Sequence, residues 1–313
     1  MRAVTSHNGL INVIDAEAPS GTGMIITVTS TGICGSDLHL VAGGLSGVIL
    51  GHEFGGTLPD GRLVAVRPTG ECGSCASCTR GIPNTCRSAA SSLHGASING
   101  GLAEYVCVEE SRLVEMPAGI SPLDVALVEP LAVVIHGINR AHLQPGMKAL
   151  VVGAGSIGLL TAAALIDIGI TVDIAARHPH QVRAANDLGA NTPTKLGNDY
   201  DVSFDAVCTQ ASFDLCIEST RPCGSIVEFG MFWSPVQLSN NVMMKEISII
   251  PSIFYNHDHS SNDFTTAAEL LSRFPDLRKI IVTHTFSLED AVQAFNSAGD
   301  KSSGAIKVHL YPR

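Results

Sequence analysis

The sequence predicts an α/β protein built on a doubly wound parallel sheet, joined to a second portion organised around metal. Three observations predict this. Strand-like and helix-like apolar runs alternate from residue 149 onward. A glycine turn with dinucleotide-binding spacing opens that region. Four cysteines crowd into one short segment well before it. The length of 313 residues suggests about two domains.

Composition removes several function classes. Hydrophobic residues at 45% and charged residues at 15% supply a real core and rule out a disordered chain. Nineteen basic against 29 acidic residues leave a net charge of -10, with no Lys/Arg cluster, so nucleic acid is excluded as a partner. A single Trp and 5% aromatics offer no stacking platform for single strands. The opening residues lack the apolar core of a signal peptide, and every apolar run breaks well before about 18 residues. The expectation is a soluble, cytoplasmic protein with no membrane partner. Nine cysteines in such a chain point to metal or free thiols before disulfides.

The first candidate site combines distant residues. Cys34 lies in TGICGSDLH, followed by Asp37 and His39. His52 and Glu53 lie in LGHEFGG, and Glu129 precedes Pro130 in LVEPLAVVIHG. One thiolate, one imidazole and one or two carboxylates suit an open zinc site, which keeps a position for substrate.

Cys72, Cys75, Cys78 and Cys86 follow a C-x2-C-x2-C-x7-C spacing, with Gly73, Gly81 and Pro83 turning the backbone between them. Four thiolates converging on one ion make a closed, structural zinc site. Two disulfides, free thiols or an iron–sulfur cluster are the alternatives. Arg80 and Arg87 stand beside the ligands. Cys107, Cys208, Cys216 and Cys223 have no ligand spacing and are expected to be buried thiols.

Residues 149–158, ALVVGAGSIG, run a short strand into Gly153-x-Gly155-x-x-Gly158 and then into an apolar helix, with a second strand at Ile170–Ala175. This context fits the dinucleotide turn formed by Gly153, Gly155, Ser156, Ile157 and Gly158. The first glycine allows the tight turn, the second lets pyrophosphate approach, and the third lets the helix pack on the strand. The helix N-terminus faces the phosphates. At the end of the second strand stands Ala176, followed by Arg177 and His178, while Asp173 lies within the strand. Lacking a strand-end carboxylate, the site favours NADP over NAD, with Arg177 holding the 2′-phosphate. The opposite reading has Asp173 on the ribose and Arg177 in solvent.

The remainder alternates as such a sheet should. Strands are expected at FDAVCTQ, GSIVEFGM and EISIIPSI, and helices at HPHQVRAANDLGA and FDLCIESTR. A further helix, SSNDFTTAAELLSRF, is capped by Ser261 or Asn262 and closed before Pro275. The tail reads as a strand, a helix over Leu288–Ala298 and a closing strand IKVHLY.

Taken together these motifs resemble the zinc-dependent medium-chain alcohol dehydrogenase family. The markers are CGSDLH, GHE, the four-cysteine lobe, EPLAV, GAGSIG, then THTFSLEDAVQAFNSA and GAIKV, in the family's order along essentially the whole chain. The carboxylate at Glu129 and the intact lobe look more like the polyol and threonine dehydrogenase branch, since classical alcohol dehydrogenases use a cysteine where Glu129 stands. The resemblance implies a GroES-like β-rich catalytic domain over residues 1–122, a Rossmann domain over 123–265, and a return to the catalytic domain over 266–313. It implies Cys34 and His52 as catalytic-zinc ligands. Glu53 matches a position that is a ligand in some members, and Glu129 a third ligand that reaches the ion directly or through water. Ser36 would take the substrate proton and His39 pass it to solvent. Cys72, Cys75, Cys78 and Cys86 would hold a second, structural zinc. The expected substrate is a small secondary alcohol, polyol or sugar, and the expected assembly a homodimer or homotetramer. A reductase of activated double bonds on the same fold, or a non-catalytic zinc-stabilised nucleotide-binding protein, are the competing functions. The stretches from Gly43 to Gly51 and from Glu53 to Cys72 are shorter than in relatives, which leaves the substrate's identity open.

Overall fold

Asn8 and Gly9, both at positive φ (51° and 76°), form the two-residue turn that suits the twist of a hairpin. They join β1 (Arg2–His7) to β2 (Leu10–Asp15). The computed structural model describes residues 1–257 and 262–312. Its contacts divide the chain into two units, Met1–Glu129 with Asn256–Arg313, and Pro130–Tyr255.

In the first unit, the long strand β3 (Met24–Ile33) leads directly into α1 (Gly35–Ala42). Then come β4 (Glu53–Thr57), β5 (Leu63–Val66), the one-turn α2 (Ala76–Thr79) inside the cysteine lobe, β6 (Tyr105–Val108) and β7 (Leu113–Glu115). The helix α3 (Val128–Arg140) carries the chain onward.

The second unit alternates. It runs β8 (Lys148–Val152), α4 (Ser156–Asp167), β9 (Thr171–Ala175), α5 (Pro179–Asp187), β10 (Tyr200–Asp205), α6 (Gln210–Ser219), β11 (Thr220–Glu228), α7 (Asn240–Met244) and β12 (Ser248–Pro251). Its five strands are parallel in the order β12-β11-β10-β8-β9. The order reverses between β8 and its two neighbours, and this reversal places a ligand crevice at the carboxyl end of β8. Leu150, Val152, Tyr200, Phe213, Ile217 and Ile226 fill the core on one face.

The chain then returns to the first unit through α8 (Asp263–Arg273), α9 (Leu277–Ile281), β13 (Val282–Phe286), α10 (Ala291–Gly299) and β14 (Lys307–Leu310). The seven-stranded sheet there has the order β13-β14-β3-β4-β5-β7, with β6 also on β3. The last strand thus lies antiparallel to the strand that delivers Cys34, with Val308 opposite Ile33. Val4, Ile33, Val41, Leu50, Phe295, Val308 and Leu310 bury one face of this region, and Ile26, Val28, Phe54, Val64 and Val106 form a second core.

The structure corrects several expectations. The strand expected through FDAVCTQ stops at Asp205, because its Oδ1 accepts hydrogen bonds from the Val207 and Cys208 amides and turns the chain. The helix expected from Leu288 starts at Ala291, after a turn in which Ser287 Oγ donates to Asp290. Cys208 and Cys216 are buried as expected, but Cys107 is half-buried and Cys223 is exposed. Cys223 sits at φ 57° within β11, where the pairing with β10 shifts register between Thr220 and Ser225. Asn262 caps α8 by accepting from the Thr265 amide, and that helix ends before Pro275; Ser261 lies outside the described residues. Among the described residues, no helix is long and apolar enough to cross a membrane.

Candidate active site

The turn from β3 into α1 makes the first half of the site. Cys34 precedes the helix, and the Asp37 carboxylate returns to accept from the Cys34 amide at 2.9 Å. Its other oxygen lies 3.0 Å from His52 Nδ1. Asp37 is fully buried, so one carboxylate fixes both the thiol's backbone and the imidazole's orientation. Nε2 of His52 is left to face the site, with Ser36 Oγ 3.4 Å away. The ligand atoms of Cys34, His52 and Glu53 all lie within 4.8 Å of one another. Glu129 is buried nearby and stands outside that close group. His39, one turn beyond Ser36 on α1, is exposed.

The electrostatics fit a cation. Burial disfavours charge on His52, yet Asp37 and the Cys34 thiolate outweigh it and hold the imidazole well above its ordinary pKa. Burial holds the Glu129 carboxyl up at about 8, with Glu53 adding to the effect. Lys307 is buried and ion-paired to Glu53, and it also donates to the Ile33 carbonyl at 3.1 Å. A soft thiol, an imidazole whose far nitrogen is already held, and adjacent carboxylates are the donor set of an open zinc site. Neither Asp37 as the imidazole's anchor nor Lys307 emerged from sequence reasoning. Asp37 was visible within the CGSDLH motif, but Lys307 carries no local signal.

The four-cysteine lobe converges as its spacing required. Neighbouring sulfurs stand 3.6 Å (Cys75–Cys78), 3.7 Å (Cys75–Cys86) and 3.6 Å (Cys72–Cys86) apart. These separations are far too long for disulfides and close to the roughly 3.8 Å edge of a tetrahedron with 2.3 Å zinc–sulfur bonds. All four ligand atoms lie within 4.8 Å of one another.

In the second unit, Gly153 follows β8 at φ 97°, a conformation that favours glycine. A Cβ on Gly158 would fall 1.7 Å from the Gly153 carbonyl oxygen, so α4 packs against the turn only because that side chain is missing. Around Gly155, at the N-terminus of α4, there is open space. The strand β9 ends at Ala175, putting Ala176 just beyond it. Asp173 is occupied elsewhere: it accepts from Asn191 Nδ2 at 3.0 Å and from the Tyr200 hydroxyl at 2.6 Å. Arg177 and His178 are exposed, and their amides donate to the Gln181 side chain. The His178 and His180 rings stack 5.5 Å apart.

Comparison with known proteins decides the family. The model of the alcohol dehydrogenase GroES-like domain matches residues 21–118, and that of the zinc-binding dehydrogenase matches residues 156–273. A sorbitol dehydrogenase of Halalkalibacterium halodurans is 31% identical over 92% of this chain and 91% of its own. This chain belongs to the zinc-dependent medium-chain alcohol dehydrogenases. D-xylulose reductase A of Aspergillus oryzae is 30% identical over 91% of this chain and 88% of its own. The solved structure of L-idonate 5-dehydrogenase from Escherichia coli superposes with a TM-score of 0.86 at 27% identity, covering 99% of this chain and 97% of that one. This medium-chain dehydrogenase therefore carries the expected GroES-like and Rossmann-type folds, and it is a zinc-dependent, NAD(P)-linked oxidoreductase of alcohols and polyols.

Proposed function

We propose that this dehydrogenase interconverts a secondary alcohol of a polyol or sugar-derived substrate and the corresponding ketone, with NADP as the preferred cofactor. The observation that carries the reading is the convergence of Cys34, His52 and Glu53, with Asp37 holding the imidazole at Nδ1 and Ser36 Oγ beside Nε2. The names of the relatives, a sorbitol dehydrogenase and a xylulose reductase, support the substrate class.

In this reading Cys34 and His52 hold the catalytic zinc, with Glu53 or Glu129 completing the set, and Cys72, Cys75, Cys78 and Cys86 hold a structural one. The catalytic ion supplies Lewis-acid polarisation of the reacting carbon–oxygen bond, and the nicotinamide supplies the hydride acceptor. Ser36 accepts a hydrogen bond from the substrate hydroxyl and relays its proton. His39, exposed on the same helix, delivers that proton to water. Asp37 keeps the His52 ring fixed while this happens. Gly153, Gly155 and Gly158, with the Ser156 and Ile157 amides at the head of α4, hold the pyrophosphate.

The preference for NADP is supported by Ala176, which puts no carboxylate beside the 2′ position, and by Asp173, already engaged by Asn191 and Tyr200. Among the described residues, Arg177 has no carboxylate partner and is open to a phosphate. A cytoplasmic homodimer or homotetramer is part of the same reading, supported by the exposed apolar Leu238, Met243, Met244 and Ile249 around β12, an unpaired sheet edge.

The test is a panel of polyols, sugars, amino alcohols, simple alcohols and activated alkenes, assayed with NADP and NAD separately. Secondary alcohols of polyols should turn over and alkenes should not. Turnover of alkenes alone would replace this reading with a double-bond reductase.

A further inference from the structure

Three buried side chains in the second unit have no role in the chemistry above. Asp205 is the last residue of β10, and Glu228 is the last residue of β11. The parallel register sets the two side by side on adjacent strands. Cys208 follows in the turn before α6. Exposure is 0% for Asp205, 4% for Glu228 and 7% for Cys208, and their ligand atoms all lie within 4.8 Å of one another. Two acids placed side by side in a core repel one another and are costly to bury. Among the described residues, no basic side chain pairs with either.

The polar atoms around the trio are used selectively. Asp205 Oδ1 accepts from the amides of Val207 at 2.8 Å and Cys208 at 2.9 Å, while its Oδ2 is buried without a hydrogen-bond partner. Glu228 Oε1 is likewise buried and unpartnered, and Oε2 lies 3.6 Å from Cys208 Sγ. The sulfur accepts from the Gly230 amide at 3.0 Å. A Cβ at position 230 would come within 2.9 Å of that sulfur, so the glycine makes room for the thiol as well as donating to it. Backbone amides thus hold Asp205 and Cys208, while Asp205 Oδ2 and Glu228 Oε1 keep unused lone pairs.

We propose that Asp205, Cys208 and Glu228 form a third metal site, one that takes a zinc-class divalent ion. One sulfur and two carboxylate oxygens are within the donor range of zinc. The ion would neutralise both acids, and the backbone amides on Asp205 and Cys208 serve as the outer contacts that orient metal ligands. Without an ion, burial lifts the Glu228 carboxyl to about 8 and the Asp205 carboxyl also rises. The rival account is therefore a proton shared between the two acids.

The test does not depend on turnover, so it fails or succeeds separately from the dehydrogenase reading. Zinc per chain is measured on the purified full-length protein, on Glu228→Gln and Cys208→Ser, and on Cys223→Ser as a control. Glu228→Gln and Cys208→Ser should each carry about one zinc fewer than the unmodified protein, with Cys223→Ser unchanged. Equal zinc in folded Glu228→Gln, Cys208→Ser and unmodified protein would overturn the proposal in favour of the shared proton. If both variants fail to fold, anomalous diffraction at the zinc edge from crystals of the unmodified protein decides. A peak between Asp205, Cys208 and Glu228 supports the site, and no peak there overturns it.

Discussion

Lys307, on the closing strand, is ion-paired to Glu53, and both side chains are almost wholly removed from water, at 2% and 1% exposure. The Ile33 carbonyl accepts a second hydrogen bond from the same ammonium, one residue before Cys34. Gly32, opposite Glu53 in the β3–β4 register, has no room for a Cβ, which would fall 2.2 Å from a Glu53 oxygen. One cation from the C-terminus thus holds two segments of the candidate zinc site. Removing it strands a buried carboxylate, a change that costs about 3–5 kcal/mol. Lys307→Met should lose stability of that order in denaturant unfolding, and Lys307→Met with Glu53→Gln should recover most of it. A double variant as unstable as the single one would break the link.

Asp37 bridges the Cys34 amide and His52 Nδ1 from a fully buried position. Asp37→Asn keeps the shape and removes the charge that fixes the imidazole. Zinc affinity at the Cys34–His52 site should fall about 10–100-fold, measured by competition with a chromophoric chelator. Cys34→Ser and His52→Ala remove ligands outright and should abolish turnover while dinucleotide binding persists. Near-normal turnover in either would displace the catalytic assignment.

Much of this was legible in the sequence where chemistry is local. The four cysteines needed only short loops to converge, and Gly153 to Gly158 lay between a recognisable strand and helix. Asn8-Gly9 is an equally local hairpin signal, one that sequence reasoning passed over because the flanking apolar residues come in adjacent pairs rather than alternating. What could not be read was long-range pairing. Lys307 meets Glu53 only because β14 returns to lie against β3, and Glu228 meets Asp205 only through the β10–β11 register. The strand expected through Cys208 ended early because a side chain, Asp205, captured two backbone amides. Apolar patterning does not report such a turn.

The cysteine lobe should act on stability before catalysis. Cys75 stands 3.6 and 3.7 Å from two other sulfurs, so replacing it leaves a three-thiolate site. Binding energy of a structural zinc is folding energy. Cys75→Ser should lower the melting temperature and lose about one zinc per chain. An unchanged melting temperature would count against a structural ion in the lobe.

Cofactor choice should turn on Ala176. An acidic residue just beyond β9 would hold a ribose hydroxyl and repel a 2′-phosphate. Ala176→Asp should move the NADP-to-NAD ratio of kcat/KM towards NAD by about tenfold or more, equivalent to ~1.4 kcal/mol. Arg177→Ala should weaken NADP alone, seen in its KM. Unmoved ratios in both variants would place the 2′ recognition elsewhere.

His94 gives the fold a pH dependence of its own. Its ring is buried, and Nδ1 donates to the Asn99 carbonyl at 2.6 Å. Burial pushes its pKa down to about 4; the Asn99 carbonyl opposes this, and Arg112 adds to it. In the unfolded chain the same group titrates near 6.5. Between those two values the unfolded state binds a proton that the folded state refuses, so stability rises with pH across the window. The contribution is complete above about 6.5 and is lost as pH falls towards about 4, amounting to roughly 3 kcal/mol. His94→Asn retains an N–H donor and removes the titration. Its unfolding free energy should fall less than that of the unmodified protein between pH 7 and pH 4.5, by an amount of that order. Comparing the two proteins cancels any loss of zinc at low pH. Parallel profiles would show that His94 protonates freely in the folded state.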